Sequence, residues 1–290
     1  MLKSQKAVFY ILAFLFLSNV LALIIAFEQN RFKNLEVDFF NVGQGDSILI
    51  NVSGSGQILI DGGPSSLILE KLGKKMPFWD RTIELFILTH PEKDHLTGLI
   101  EVLKRYQVQN ILWTGVVRDT SEFKEWEKVI AEEGANIYCA RFGQKVFFSK
   151  RAENYLEVLY PLQDLKGVQK EDSNNTSIVS RLVFGQKSFL FTGDISQEIE
   201  SELLRLESVD LKADILKVAH HGSKFSSSAD FISKVLPSIA VIQVGQNNSY
   251  GHPAPEVLQT LEGVNIFRTD ESGDISCFSD EQEVFCQSFK

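Results

Sequence analysis

Residues 90–95 read His-Pro-Glu-Lys-Asp-His and follow Ile83–Thr89, a run that reads as a buried strand. Four potential metal ligands, His90, Glu92, Asp94 and His95, therefore sit where a strand hands over to a loop. Two imidazoles and two carboxylates at that density suit one or two divalent ions of the zinc or manganese kind. The chain has five histidines, and the other three, His220, His221 and His252, each lie in a short polar segment after an apolar run. None is left for a surface or core role, which weighs against reading His90–His95 as a mere polar turn. Acids stand at strand ends in the same way: Asp194 follows Phe189–Phe191 and a Thr-Gly turn, and Asp61 follows Ile58–Ile60. Asp61 reads equally well as an ordinary turn residue.

The elements that must position these groups are short apolar runs separated by Gly and Asp turns. Val37–Val42, Ser47–Val52 and Gln57–Ile60 read as three strands, and Leu67–Leu72 as a helix. Beyond the strand ending at His90 come a helix over Gly98–Tyr106, a strand at Ile111–Trp113, a helix over Glu122–Glu132 and a strand at Asn136–Ala140. The second half repeats the theme. Strands at Tyr155–Tyr160, Ser177–Phe184 and Ser188–Phe191 precede a helix over Gln197–Arg205. Ile215–Val218 and Ala240–Val244 read as strands, Ala229–Val235 and Pro255–Leu261 as helices. Two mixed sheets packed together with helices outside are expected. Loops at one edge of such sheets could converge on a site.

These segments, in this order, resemble the metallo-β-lactamase-like hydrolase superfamily, and most of all the hydrolase domain of the ComEC DNA-uptake proteins. The matching stretches are Phe40–Ser47, Asp61-Gly62-Gly63, Thr89–His95, Phe191–Asp194, Leu216–Ser223 and Tyr250–Pro253, across about residues 35–278. The resemblance implies an α+β four-layer αββα sandwich with a metal site at one edge of the sheets. It also implies that His90 and Glu92 ligate one metal, that Asp94, His95 and His220 ligate a second, and that Asp194 bridges both. His221 or His252 could ligate instead, or hydrogen-bond the substrate. Two cations so placed would lower the pKa of a shared water and neutralise charge on the attacked group. The chain departs from the superfamily pattern at Glu92, where a second histidine is usual. Asn174-Asn175-Thr176-Ser177 stands where a further histidine would be. More oxygen ligands weaken zinc preference and make manganese suitable. Asn175 could donate to a substrate oxygen or serve as a turn. Gln44-Gly45-Asp46-Ser47 lacks the Lys and helix of a P-loop, so it reads as a tight turn whose Asp46 could buttress the site.

Hydrophobic content of 44% with 22 Phe among 290 residues is ample for a packed core. Ala7–Phe27 is almost unbroken in apolar character over about 20 residues, a length that spans a bilayer as a helix. Lys3 and Lys6 precede it and Arg31 and Lys33 follow, so the charge count is nearly even; the short basic leader tips it toward a cytoplasmic N-terminus and an exported domain. A cleaved secretory signal ending near Val20-Leu21-Ala22 is the alternative. On this reading residues 1–34 form a membrane anchor with a polar stalk over Glu28–Asn34, and residues 35–290 form the hydrolase domain. The formal charge of −9 argues against tight non-specific grip on a nucleic-acid backbone. Of the three cysteines, Cys139 reads as core, whereas Cys277 and Cys286 flank a C-terminal hairpin turn. They are either a bridge suited to an oxidising compartment or two buried thiols. Trp79, Trp113 and Trp126 read as core or helix-face packing.

The sequence thus leads to a membrane-anchored, metal-dependent hydrolase with Asp94, Asp194 and His252 as catalytic residues. His90, Glu92, Asp94, His95, Asp194, His220 and His221 are its candidate ligands for one or two zinc or manganese ions. Hydrolysis of a phosphodiester, DNA included, through metal-bound hydroxide is the leading chemistry. The alternatives are an esterase for a small phosphoester or cell-envelope ester, and a metal-stabilised binding domain without turnover.

Overall fold

In the computed structural model, which describes residues 2–31, 35–148 and 153–289, the chain begins with helix α1 (Leu2–Arg31). Its segment Gln5–Leu23 is long and apolar enough to cross a membrane. The helix continues through residues 28–31, which the sequence suggests as stalk, because Glu, Gln and Arg are good helix formers. Residues 32–34 of that stalk lie outside the described residues.

Three antiparallel strands follow, β1 (Leu35–Phe39), β2 (Ile48–Val52) and β3 (Gly56–Ile60). Helix α2 (Leu67–Lys75) returns the chain to β4 (Thr82–Leu88), parallel to β3. Helix α3 (Lys93–Leu103), strand β5 (Gln107–Trp113), helix α4 (Ser121–Glu133) and strand β6 (Asn136–Cys139) continue the parallel alternation. A second sheet starts with antiparallel strands β7 (Lys145–Phe147), β8 (Tyr155–Tyr160), β9 (Val179–Phe184) and β10 (Lys187–Phe191). Helix α5 (Gln197–Leu204), β11 (Ile215–Lys217), α6 (Ala229–Val235), β12 (Ile239–Ile242), α7 (Pro255–Thr260) and β13 (Asn265–Arg268) extend it in parallel. A one-turn helix, α8 (Thr269–Ser272), leads back to the first sheet, where β14 (Asp274–Ser279) pairs with β1 and β15 (Val284–Phe289) closes the edge. The strand orders are β15-β14-β1-β2-β3-β4-β5-β6 and β13-β12-β11-β10-β9-β8-β7.

The inner strands of each sheet are covered on both faces, so they are apolar almost throughout instead of alternating, while the edge strands β6, β7, β13 and β15 are more exposed. In β1 and β2, Val37, Phe39, Ile48 and Ile50 point between the sheets, while Leu49 of β2 and Leu59 of β3 face α2 and α3. The second sheet packs its outer face on α5, α6 and α7 through Leu190, Leu216, Phe231 and Val257. Phe39 and Phe191 meet across the sandwich with ring centroids 6.3 Å apart, each worth about 2–3 kcal/mol of burial. The result is the four-layer αββα sandwich.

Strand polarity divides the molecule into two edges. The C-terminal ends of β4, β10, β11 and β12 carry the histidines and acids. The opposite edge holds the start of β1 at Leu35 and the turn before β4.

Several sequence expectations are corrected. Helix α3 starts at Lys93, not Gly98, because its first turn spends its side chains on the site and so lacks apolar periodicity. Strands β7 and β13 and helix α8, of three or four residues each, are too short to carry a periodic signal. Cys139 is half-buried on edge strand β6, outside the core. Trp126 is core, but Trp79 is 74% exposed beside an exposed Phe78. Cys277 faces Cys286 in register across the β14–β15 hairpin, and the two form a disulfide.

Candidate metal centre

The centre is assembled by close backbone packing. Helix α3 lies directly on the turn after β3: Gly62 N–H donates to His95 O at 2.8 Å and Gly98 N–H to Gly63 O at 2.9 Å. A Cβ on Gly98 would fall 1.8 Å from Gly62 O, so only glycine permits this approach. The contact sets the His95 ring beside Asp61. His95 Nδ1 donates to Asp61 Oδ2 at 2.8 Å, and Asp61 also accepts from Thr89 N–H at 2.8 Å and from Thr89 Oγ1 at 2.6 Å. On the other side, His221 Nδ1 donates to Gln243 O at 2.9 Å and faces Asp46 Oδ1 at 3.3 Å. With both Nδ1 atoms occupied, both Nε2 atoms turn inward. Such outer partners fix the tautomer and orientation of a ligating imidazole.

Four donor atoms then close on one point. His95 Nε2 lies 3.3 Å from Asp194 Oδ2 and 3.9 Å from Asp94 Oδ2. His221 Nε2 lies 3.3 Å from Asp94 Oδ2 and 3.4 Å from Asp194 Oδ2. A tetrahedral ion with bonds of ~2.1 Å separates its ligands by roughly 3.4 Å, so the ring fits one divalent cation. His95 Nε2 is buried without a hydrogen-bond partner among the described residues, which an ion would satisfy. Two imidazoles with two carboxylates suit zinc or manganese.

The charges in the ring act strongly on one another. Burial alone would lower the His95 imidazole, but Asp194, Asp61 and Asp94 hold it well above its usual range. Burial acts the same way on His221, and Asp194 and Asp46 raise it to about 10. Asp194, which burial would raise, is held well below the carboxylate range by His221, His95 and Lys217.

Not every candidate joins the four. His90 is buried beside them, its ring centroid 4.2 Å from that of His95. Its Nδ1 sits 3.0 Å from Thr89 Oγ1 and 3.2 Å from Ser177 Oγ, and burial followed by the charge of His95 lowers it to about 3. Glu92 stands apart: its Oε1 is taken by Arg118 and by Ser173, whose N–H and hydroxyl donate at 2.9 and 2.8 Å. Ligation by Glu92 is therefore not what this geometry offers. His220 Nε2 is 3.8 Å from Asp194 Oδ2, and its side chain is part-exposed. Both His220 (φ 49°) and His221 (φ 54°) have left-handed backbone, as does Asp61 (φ 55°). That succession sends His220 to the cleft and His221 to the interior. His252 lies at the cleft wall, stacked on Tyr250, and burial followed by His220 and His221 lowers it to about 4. Asn175 neither lines the cleft nor turns free: its Oδ1 accepts from Ser196 N–H at 2.9 Å, at the start of α5.

Besides Gln243 and Ser173, the site holds two further residues that the sequence did not suggest. Lys217 is fully buried, paired with Asp46, 3.6 Å from Asp194 Oδ1 and donating to Gly193 O at 3.1 Å. Its signal was a lone charge inside the apolar run Ile215–Val218. Arg118, which holds Glu92, carried no signal in its own segment. The four-donor ring opens into a cleft of about 250 Å³ whose wall includes Glu92, Glu171, Asp172 and His252.

Residues 40–246 match the family described as the metallo-beta-lactamase superfamily. The chain is 30% identical to ComE operon protein 3 of Bacillus subtilis over 312 aligned positions, covering 91% of this chain and 39% of that protein. It is 28% identical to Recombination protein 2 of Haemophilus influenzae over 272 positions, covering 90% of this chain and 31% of that one. The chain thus spans between 31% and 39% of the length of these relatives. Among solved structures, the metallo-beta-lactamase fold protein YhfI from Bacillus subtilis is similar with a TM-score of 0.56 at 14% identity, covering 88% of this chain and 100% of that one.

Proposed function

This chain belongs to the metallo-beta-lactamase superfamily, and on that premise we propose that it is a metal-dependent hydrolase of phosphodiesters, with DNA as the substrate. The observation that carries the reading is the ring of Asp94, His95, Asp194 and His221, four donors spaced for one divalent ion. A cation held there would supply Lewis acidity, and only if it accepted a ligand beyond the four donors would it also supply an activated water. The residues around it do the rest. Asp61 and the Gln243 carbonyl hold the two imidazoles with Nε2 inward. Neutral His252 and part-exposed His220 offer hydrogen bonds to a substrate oxygen in the cleft. The first of the two ions implied by the family resemblance would need Glu92, which Arg118 and Ser173 occupy, so one zinc or manganese is the reading favoured here.

DNA is favoured by the name of one relative, Recombination protein 2. The carboxylate-rich cleft favours a second reading, hydrolysis of a small ester of low charge. The segment Gln5–Leu23 supports membrane anchoring of residues 1–34. The Cys277–Cys286 disulfide supports an extracytoplasmic position for residues 35–290.

Elemental analysis of the purified chain, with hydrolysis of a generic phosphodiester and of single-stranded DNA under added zinc or manganese, tests this. We expect one ion per chain and metal-dependent cleavage of both. Cleavage of the small diester alone would favour the second reading, and metal binding without turnover would leave a binding domain.

A further inference from the structure

The edge opposite the metal centre carries an unexplained apolar feature. Between α2 and β4 the chain turns through Pro77–Asp80, closed by a bond from Asp80 N–H to Pro77 O. The turn presents Phe78 and Trp79 at 80% and 74% exposure, packed edge to face on each other with centroids 4.8 Å apart. Leu236, just before β12, is 62% exposed on the same edge of the second sheet. Exposed aromatics on the other edge have evident employment: Tyr250 lines the cleft and Phe225 lies under Lys224.

Topology ties this edge to α1. Strand β1 begins there at Leu35, four residues after the helix ends at Arg31, a reach of at most about 14 Å. Strands β1 and β4 are three positions apart in the sheet, about 14 Å. With at most about 17 Å of chain between Phe78 and Ile83, the β4 residue level with Leu35, the Phe78–Trp79 turn cannot lie farther than roughly 45 Å from the end of the apolar helix. Aromatic side chains, tryptophan above all, settle at the boundary between lipid and water.

We propose that the Phe78–Trp79 turn docks on the lipid surface crossed by α1, so that the metal centre faces away from the membrane. This rests on reading α1 as membrane-spanning. The seven residues of β4 separate the two edges, which holds the centre roughly 23 Å beyond the docked turn.

The test uses the full chain in phosphatidylcholine–phosphatidylglycerol vesicles containing lipids brominated near the headgroup. Tryptophan emission is compared with that of Trp79→Phe, in which Trp113 and Trp126 remain. Brominated lipid should quench the share contributed by one of the three tryptophans, and Trp79→Phe should lose that quenching. Phe78→Asp, which retains the reporter, should also lose it and should open Trp79 to aqueous iodide. Equal quenching in wild type and Trp79→Phe overturns docking. So does a Trp79 shielded from iodide without lipid quenching, which would mean a protein surface covers it. Flotation of the chain with vesicles after an alkaline wash reads the anchor separately. A chain that floats with unquenched Trp79 refutes docking alone; one that does not float refutes both.

Discussion

Asp61 Oδ2 lies 2.8 Å from His95 Nδ1, and through that one contact the end of β3 aims an imidazole supplied by α3. Asp61→Asn keeps the size of the side chain but can offer an amide N–H where the ring needs an acceptor. We expect metal affinity to fall by about 10–100-fold with little change in the far-ultraviolet circular dichroism spectrum. Competition against a chromogenic chelator measures it, and unchanged affinity would count against the His95 ligand role.

Asp194 Oδ2 faces both His95 Nε2 and His221 Nε2. Asp194→Ala should abolish metal-dependent hydrolysis and stoichiometric binding while the sheets, which supply the core, remain folded. Hydrolysis at a near wild-type rate in this variant would sink the mechanism. His252→Ala should be milder, with the loss mainly in KM, since that residue reaches the cleft and not the four-donor ring.

Lys217 neutralises Asp46 and Asp194 inside the protein. Lys217→Met removes from two buried carboxylates the cation nearest Asp46, a change of about 3–5 kcal/mol. Urea midpoints should drop most in chelator and less with manganese present, because an ion at the ring takes over part of the compensation. An equal drop in both conditions would mean that Lys217 and the ion do not share a field.

Dense, local chemistry marks the neighbourhood of the site in the sequence, but not which of its residues close on one point. His90–His95 packs four potential ligands into six residues, of which Asp94 and His95 join the ring, and Asp194 and His221 each follow an apolar strand. Partners distant in sequence stayed hidden. Nothing near Glu92 announces that Arg118, 26 positions on, will hold it. The choice between His220 and His221 depends on two consecutive left-handed residues, a backbone state that adjacent histidines do not advertise. The layers were legible because apolar runs mark strands buried on both faces. Strand β7 and helix α8 were not, since three or four residues contain no full period.

A pH effect on stability centres on Asp38, buried in β1 beside Lys75 and Ser276. Burial, then the charge of Glu36, raises its carboxyl from 3.8 to about 6 despite Lys75. Between those values the folded chain holds more protons than the unfolded one, so stability falls as pH rises through that window. The contribution is about 3 kcal/mol. Denaturation of wild type relative to Asp38→Asn at pH 4 and pH 6 should reveal that slope, and parallel curves would refute it.

The Cys277–Cys286 disulfide closes a short loop between β14 and β15. Replacing both with serine should cost about 2–3 kcal/mol and make the variant insensitive to dithiothreitol. A wild-type melting temperature unmoved by reductant would show that the bridge adds no stability.

Left-handed backbone at Asp61, His220 and His221 stores about 1–3 kcal/mol at each position. Glycine would release that energy and erase the side chain in the same step. At part-exposed His220 a laboratory screen that rewards heat resistance alone should therefore accumulate glycine and return sturdier, less active proteins, whereas at Asp61 and His221 the buried groups left unpaired offset the gain. Selection for thermal tolerance in this molecule has to be coupled to selection for turnover.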